Sequence, residues 1–231
     1  MAITMYDLCG AEADRRFSPF CWRARMALAH KGLEVETVPW RFTEKDKLPT
    51  PNAGRVPVII DGERVVHDST AIAEYLEQRY PDLPSLFGGE IGRGLTRFVQ
   101  NWTDTVVQNN LIRLVLHDIH GHLGPEDQAY FRQDREKRFG AALEQIVRDR
   151  EERLPAFRAS LDPLRRTVDR QDFVCGEAPS YADYIVFGAF QWARAISSFE
   201  LLAEDDPVRA WRGRMLDLFG GLARRAPAYG G

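Results

Sequence analysis

The chain has 231 residues, of which 44% are apolar and 28% charged, and a net charge of −3. These proportions exclude a disordered, collagen-like or coiled-coil chain, and the length suffices to bury a core without metal or disulfide staples. The basic residues are spread along the chain and leave no electrostatic footprint for nucleic acid.

The longest apolar stretch, Tyr184–Ile196, is interrupted by Gln191 and Arg194. It is shorter than the roughly 20 residues a membrane span needs, so no membrane association is expected. Asp7, Glu12 and Asp14 stand where a secretion signal would carry Lys or Arg. The three cysteines, Cys9, Cys21 and Cys175, are too few and odd in number for a disulfide framework. Together these features predict a cytoplasmic protein.

Ile3–Leu8 reads as a first strand. Pro19–Lys31 reads as a helix stopped by Gly32. Val35–Val38 is a second strand, and Trp40–Gly54 a loop rich in Pro, Thr and Lys. Val58–Ile60 and Val65–His67 flank an Asp61-Gly62 pair, the signature of a tight antiparallel hairpin. Ser69–Arg79 is helical, with Ile72, Tyr75 and Leu76 on one face. This order predicts a small mixed sheet with helices packed on it.

Pro and Gly crowd into Pro81–Gly94, which reads as an interdomain linker. The expected domains are residues 1–84 and 92–231. Beyond the linker, Leu95, Phe98, Val99, Trp102, Val106, Ile112 and Leu116 recur at helical spacing. Glu126–Leu154 reads as one long, charge-laced helix, Pro155–Val168 as another, and Ser180–Ile196 as the most apolar one. Pro207–Arg225 closes an all-helical second domain.

Three windows could carry chemistry. In Ser18-Pro19-Phe20-Cys21, Ser18 stands at N-cap and Pro19 at the first helical position. Capping alone accounts for that serine. The open helix N-terminus would also stabilise an anion such as a thiolate. The window is one residue from a Cys-x-x-Cys redox motif, but Ser18 cannot form the disulfide, and Cys21 reads as a buried small hydrophobe. In Arg55-Val56-Pro57, a proline opening a strand is a place for a cis bond that turns the Val56 backbone toward a peptide-like ligand. Asp68-Ser69, where a strand gives way to a helix, could be caps, or could hold the ammonium and carboxylate of one small zwitterion. Ser180-Tyr181-Ala182-Asp183 has capping-box spacing and reads as structural. The five histidines show no metal-ligand pattern, and His117 and His120 fall near a helix end. No metal is expected.

In this order, Ser18-Pro19-Phe20-Cys21-Trp22-Arg23, Val56-Pro57, Asp68-Ser69 leading into Ala71-Ile72-Ala73-Glu74-Tyr75-Leu76, and Ser180-Tyr181-Ala182-Asp183 resemble the cytosolic glutathione transferase family across essentially the whole chain. The Ser18–Arg23 window with His30-Lys31-Gly32 is similar to a serine-type, etherase-like bacterial and fungal branch. The resemblance implies an α/β plus all-α protein, a thioredoxin-like N-terminal domain followed by an all-helical one. It implies an enzyme that uses glutathione as co-substrate against a small, hydrophobic, aromatic electrophile. Ser18 would be catalytic, donating a hydrogen bond to the glutathione sulfur. Phe20, Arg55, Val56, Pro57, Asp68 and Ser69 would bind glutathione, and Lys45 or Lys47 would reach its glycyl carboxylate. Phe20 and Trp102 would wall the electrophile site. A homodimer is implied, with Arg79-Tyr80 and the Leu95–Val106 helix beside the domain junction. Ether cleavage, reduction or isomerisation with glutathione, and non-catalytic binding on the same fold, stand as alternatives.

Overall fold

A computed structural model describes residues 2–49 and 54–229. Residues 50–53 of the loop after Trp40 lie outside the described residues.

The first part is a four-stranded mixed sheet. Strand β1 (Ile3–Leu8) leads through helix α1 (Pro19–His30) to β2 (Val35–Trp40), which pairs parallel to β1 from Ile3↔Val35 to Leu8↔Trp40. Strands β3 (Val58–Asp61) and β4 (Arg64–His67) form the hairpin, and β3 lies antiparallel to β1. The order across the sheet is β2-β1-β3-β4. Alternation places Ile3 and Met5 in the core. Strand β2 runs two residues past the expected Val38. It is an edge strand, where Pro39 costs no ladder hydrogen bond. Helix α2 (Ser69–Arg79) returns across the sheet, burying Ile72, Ala73 and Leu76.

The second part is helical. Helix α3 (Glu90–Trp102) passes through one π-helical turn, Thr103–Val107, into α4 (Gln108–His120). The long helix expected over Glu126–Leu154 is instead three: α5 (Pro125–Phe139), α6 (Leu143–Val147) and α7 (Arg150–Ser160). Gly140 causes the first break, capping α5 in the left-handed conformation at φ 68°. Helix α7 runs through Pro155 rather than ending before it. That proline is exposed, so water can satisfy the carbonyl that loses its partner. Helix α8 (Asp162–Val168) follows, then α9 (Tyr181–Ile196) and α10 (Pro207–Gly221), which is kinked at Leu218–Gly220.

Helix α9 is the axis of this part, buried along nearly its whole length. Its first turn is secured by Asp183, which accepts from the Ser180 amide and hydroxyl (both 3.0 Å), the Val174 amide (2.8 Å) and the Trp211 indole (3.0 Å). Helix α9 also carries the junction between the two parts. A Cβ added at Gly188 would lie 2.4 Å from the Pro19 carbonyl oxygen, so α1 and α9 meet backbone to backbone. The Tyr181 hydroxyl donates to the Ser69 carbonyl (2.6 Å). Arg23, fully buried on α1, donates to Asp104 of the π turn (2.6 Å). No helix among the described residues is long and apolar enough to cross a membrane.

Candidate active site

The sequence Phe17-Ser18-Pro19 starts α1 in a fixed place. The Phe17 amide donates to the Leu8 carbonyl (3.3 Å), and the Trp22 indole to the Arg16 carbonyl (2.9 Å). Ser18, extended at ψ 125°, caps the helix by accepting from the Cys21 amide (3.2 Å). Both the cap and the first-position proline expected there are present. Ser18 is nearly buried, yet it lines a cleft of about 850 Å³ between the two parts of the molecule.

Phe20, Arg55 and Val56 line the same cleft. The Val56–Pro57 peptide is cis. Pairing of Val58 with His67 carries Asp68 alongside, and the Asp68 amide donates to the Pro57 carbonyl (3.3 Å). Three windows far apart in sequence thus meet at one end of the sheet. Asp68 also caps α2, accepting from the Thr70 and Ala71 amides (2.8 and 3.1 Å) at φ 74°. Ser69 is buried at the helix start. Pro57, Asp68 and Ser69 border the cleft through Val56 rather than forming its wall.

Trp102 does not line the cleft; it packs, half-buried, against the core. The aromatic wall comes from Trp192 on α9 and from Tyr130 and Phe131 on α5. The loop after β2 adds Phe42, whose ring centroid lies 5.7 Å from that of Phe131. Arg135 extends across this group, 4.9 Å from the Phe131 centroid, and pairs with Asp134. Lys45 lies over the Tyr130 ring at 4.8 Å, and Lys47 pairs with Glu44 (2.7 Å). Asp104 enters the cleft from the π turn, a type of helix irregularity frequent at functional sites. Its carboxylate accepts from Arg23 and from Gln108 (2.7 Å), so it is a fixed acceptor. Nothing in the spacing of Tyr130, Trp192 or Asp104 marked them. Each sits in a helix whose periodicity is equally satisfied by packing.

Two of the protein's three thiols are buried, whereas Cys175 is exposed and does not line the cleft. Cys9 and Cys21 are fully buried. Burial pushes both thiols up, with Asp7 adding to the effect at Cys21. Among the described residues no group of three or more His, Cys, Asp or Glu is arranged to hold a metal ion.

This arrangement is a known one. Residues 13–85 match the family profile "Glutathione S-transferase, N-terminal domain", and residues 94–220 match "Glutathione S-transferase, C-terminal domain". A zeta-class glutathione S-transferase of Euphorbia esula is 31% identical over 132 residues, 54% of this chain and 58% of that one. A probable maleylacetoacetate isomerase of Caenorhabditis elegans is 40% identical over 82 residues, 34% of this chain and 38% of that one. The alignments thus span under two thirds of these relatives. A solved glutathione transferase of Phanerochaete chrysosporium superposes with a TM-score of 0.76 at 26% identity, covering 96% of this chain and 92% of that one. With the fold, the cleft and both profile matches in agreement, the chain belongs to the glutathione S-transferase family.

Proposed function

We propose that the protein is a glutathione transferase of the serine type, in which Ser18 favours the thiolate of bound glutathione for attack on a small aromatic electrophile. The observation that carries this reading is Ser18 itself. Its oxygen accepts one backbone hydrogen bond and lies on the cleft at a helix N-terminus, beside the buried Cys21 thiol, so its proton can be donated to a bound sulfur. A thiol with a pKa near 8.5 is only a few per cent ionised at neutral pH. Lowering that pKa by about two units makes most of it thiolate, at about 1.4 kcal/mol per unit. The cis Val56–Pro57 edge supports pairing with the cysteinyl backbone of glutathione. Asp68 and Ser69 would hold its γ-glutamyl end. Arg55, with Lys45 over the Tyr130 ring, would supply positive charge for its carboxylates. Phe20 and the Trp192–Tyr130–Phe131 wall would hold the electrophile against the sulfur.

Steady-state kinetics of Ser18→Ala with glutathione and a chloronitrobenzene test the reading. The variant is expected to lose about a hundredfold in kcat/KM, the scale of one lost hydrogen-bond donor to developing or full negative charge. Full retention would remove Ser18 from the chemistry.

A second reading, isomerisation by reversible addition of the same thiolate, draws support from the probable maleylacetoacetate isomerase among the relatives. It needs no protein thiol, and the burial of Cys9 and Cys21 speaks against a disulfide reductase. Turnover of a cis-enedione with glutathione recovered unchanged would favour isomerisation over conjugation. Within the family, the etherase-like assignment rests on the Ser18–Arg23 window, and release of a phenol from an aryl ether would test it.

We place the domain boundary between residues 84 and 92, and the protein in the cytoplasm as a homodimer. Ile91, Leu95 and Phe98 stand on one face of α3, 82%, 57% and 72% exposed. An apolar stripe of this kind on a monomer marks an interface. Sedimentation is expected to give a dimer for the native chain and a monomer for Leu95→Glu/Phe98→Glu.

A further inference from the structure

The helical wall of the large cleft is mostly aromatic and aliphatic, yet one carboxylate is built into it. Asp104 lines the cleft from the π turn, with its side chain 34% exposed. Its Oδ1 accepts twice, from Nη2 of Arg23 (2.6 Å) and from Nε2 of Gln108 (2.7 Å). Its Oδ2 accepts from none of the described residues. One oxygen is therefore fixed and the other is open to a ligand.

The grip on Oδ1 costs stability. Arg23 is fully buried, and its Nε and Nη1 meet no hydrogen-bond partner among the described residues. Buried nitrogens left unpaired are unfavourable and call for an explanation. Joining α1 to the helical part does not supply one, because the Gly188 contact and the Tyr181 hydroxyl already make that junction. What Arg23 adds is a carboxylate held in one place. Its guanidinium also lies 4.8 Å from the centroid of the Phe20 ring, so Asp104 is tied to the first turns of the helix that Ser18 caps.

Charge selects the ligand group. Arg23 offsets Asp104, and Arg55, Arg135 and Arg138 line the cleft against Asp134. A cation would meet a net positive surround, and an anion would meet the carboxylate itself. A neutral donor suits Oδ2, and a phenolic hydroxyl is a strong one, since an O–H bonded to a carboxylate makes a short, charge-assisted hydrogen bond.

We propose that Asp104 is a specificity-determining residue, whose Oδ2 accepts a hydrogen bond from a hydroxyl group on the aromatic electrophile, with Arg23 as its positioning residue. This rests on the reading of the helical wall as the electrophile side.

Calorimetric titration of the full chain, with glutathione present, by 3-ethylphenol, 4-ethylphenol and 4-ethylanisole tests the site without turnover. At least one phenol is expected to bind about tenfold or more tighter than the anisole, the scale of a hydrogen bond to a charged group. Asp104→Asn should abolish that preference, and Ser18→Ala should keep it. In kinetics with 4-hydroxycinnamaldehyde and 4-methoxycinnamaldehyde, Asp104→Asn should raise KM for the hydroxylated substrate alone, whereas a merely structural role would lower kcat for both. In the unaltered protein, the Asp104 carboxylate carbon resonance should move with the phenol and not with the anisole, which requires no variant to fold. Equal binding of phenols and anisole, a preference that survives in Asp104→Asn, or a stationary Asp104 resonance would each overturn the proposal. A fully active Ser18→Ala variant would overturn the role of Ser18 and leave these binding tests of Asp104 decisive.

Discussion

The two walls of the large cleft are built by different means. On the sheet side, backbone geometry does much of the shaping: a helix start at Ser18-Pro19 and a cis bond that presents Val56. On the helical side the wall is made of side chains from elements distant in sequence, Asp104 from the π turn, Tyr130 and Phe131 from α5, and Trp192 from α9. Backbone features tolerate little change and suit a ligand that does not vary. Side-chain walls are easily rebuilt and suit one that does. Under the proposed function, the sheet side would hold the shared glutathione and the helical side would set selectivity.

The comparison can be broken at the point where the walls join. Gly188→Ala should have the largest effect after Ser18→Ala. In an ordinary helix interior this change stabilises by up to about 1 kcal/mol. Here the new Cβ meets the Pro19 carbonyl at 2.4 Å. A loss of about 1–3 kcal/mol is expected in denaturant unfolding, with kcat lowered because the α1 start that bears Ser18 is displaced. An Ala variant as stable and active as the native chain would show that the junction does not position the site.

Trp192→Ala should sharpen the comparison. It removes one element of the helical wall and leaves the sheet side intact. KM for an aromatic electrophile is expected to rise several-fold, since a buried aromatic contact carries about 1 kcal/mol or more. The glutathione Kd should stay within about twofold. Equal losses for both ligands would mean that the walls are not separable.

The smallest expected effect concerns pH. His30, at the end of α1, accepts or donates a 2.6 Å hydrogen bond with the Tyr184 hydroxyl and packs against Phe219. Burial holds its pKa below the usual histidine value, with the Lys31 charge contributing. The unfolded chain therefore takes up a proton at higher pH than the folded one. The resulting stability is present in full above the unfolded value of about 6.5 and declines as pH falls from there toward the folded value. The thermal midpoint should drop across that acid window, and His30→Gln should flatten the drop. His120 and His122 are shifted the same way by burial, so part of the slope will remain.

Much of the sheet side could be read in the residues. Capping, first-position proline and the Asp61-Gly62 turn act within a few residues, so Ser18-Pro19 and the hairpin are visible without tertiary context. Pairing of the windows is not local, and their order became meaningful only through the family resemblance. The helical side resisted for a specific reason. Periodicity reports that Trp102, Ile112 and Trp192 each belong to an apolar face, but not which faces meet a cavity. Trp102 went to the core and Trp192 to the cleft. Glu126–Leu154 reads as one helix because its charges continue across Gly140, whereas the left-handed conformation of that glycine ends α5.

The sequence by itself determined the class of architecture, the mixed sheet followed by helices, because alternation, turns and caps are set by neighbours a few residues apart. The few cysteines, odd in number, also argued against a disulfide framework. Only the tertiary structure decided which helical side chains face the cleft and how closely α9 approaches Pro19. Those outcomes depend on the packing of elements far apart in the chain, and on burial, which changes the energy of a charge or a void without leaving a mark on the residues nearby.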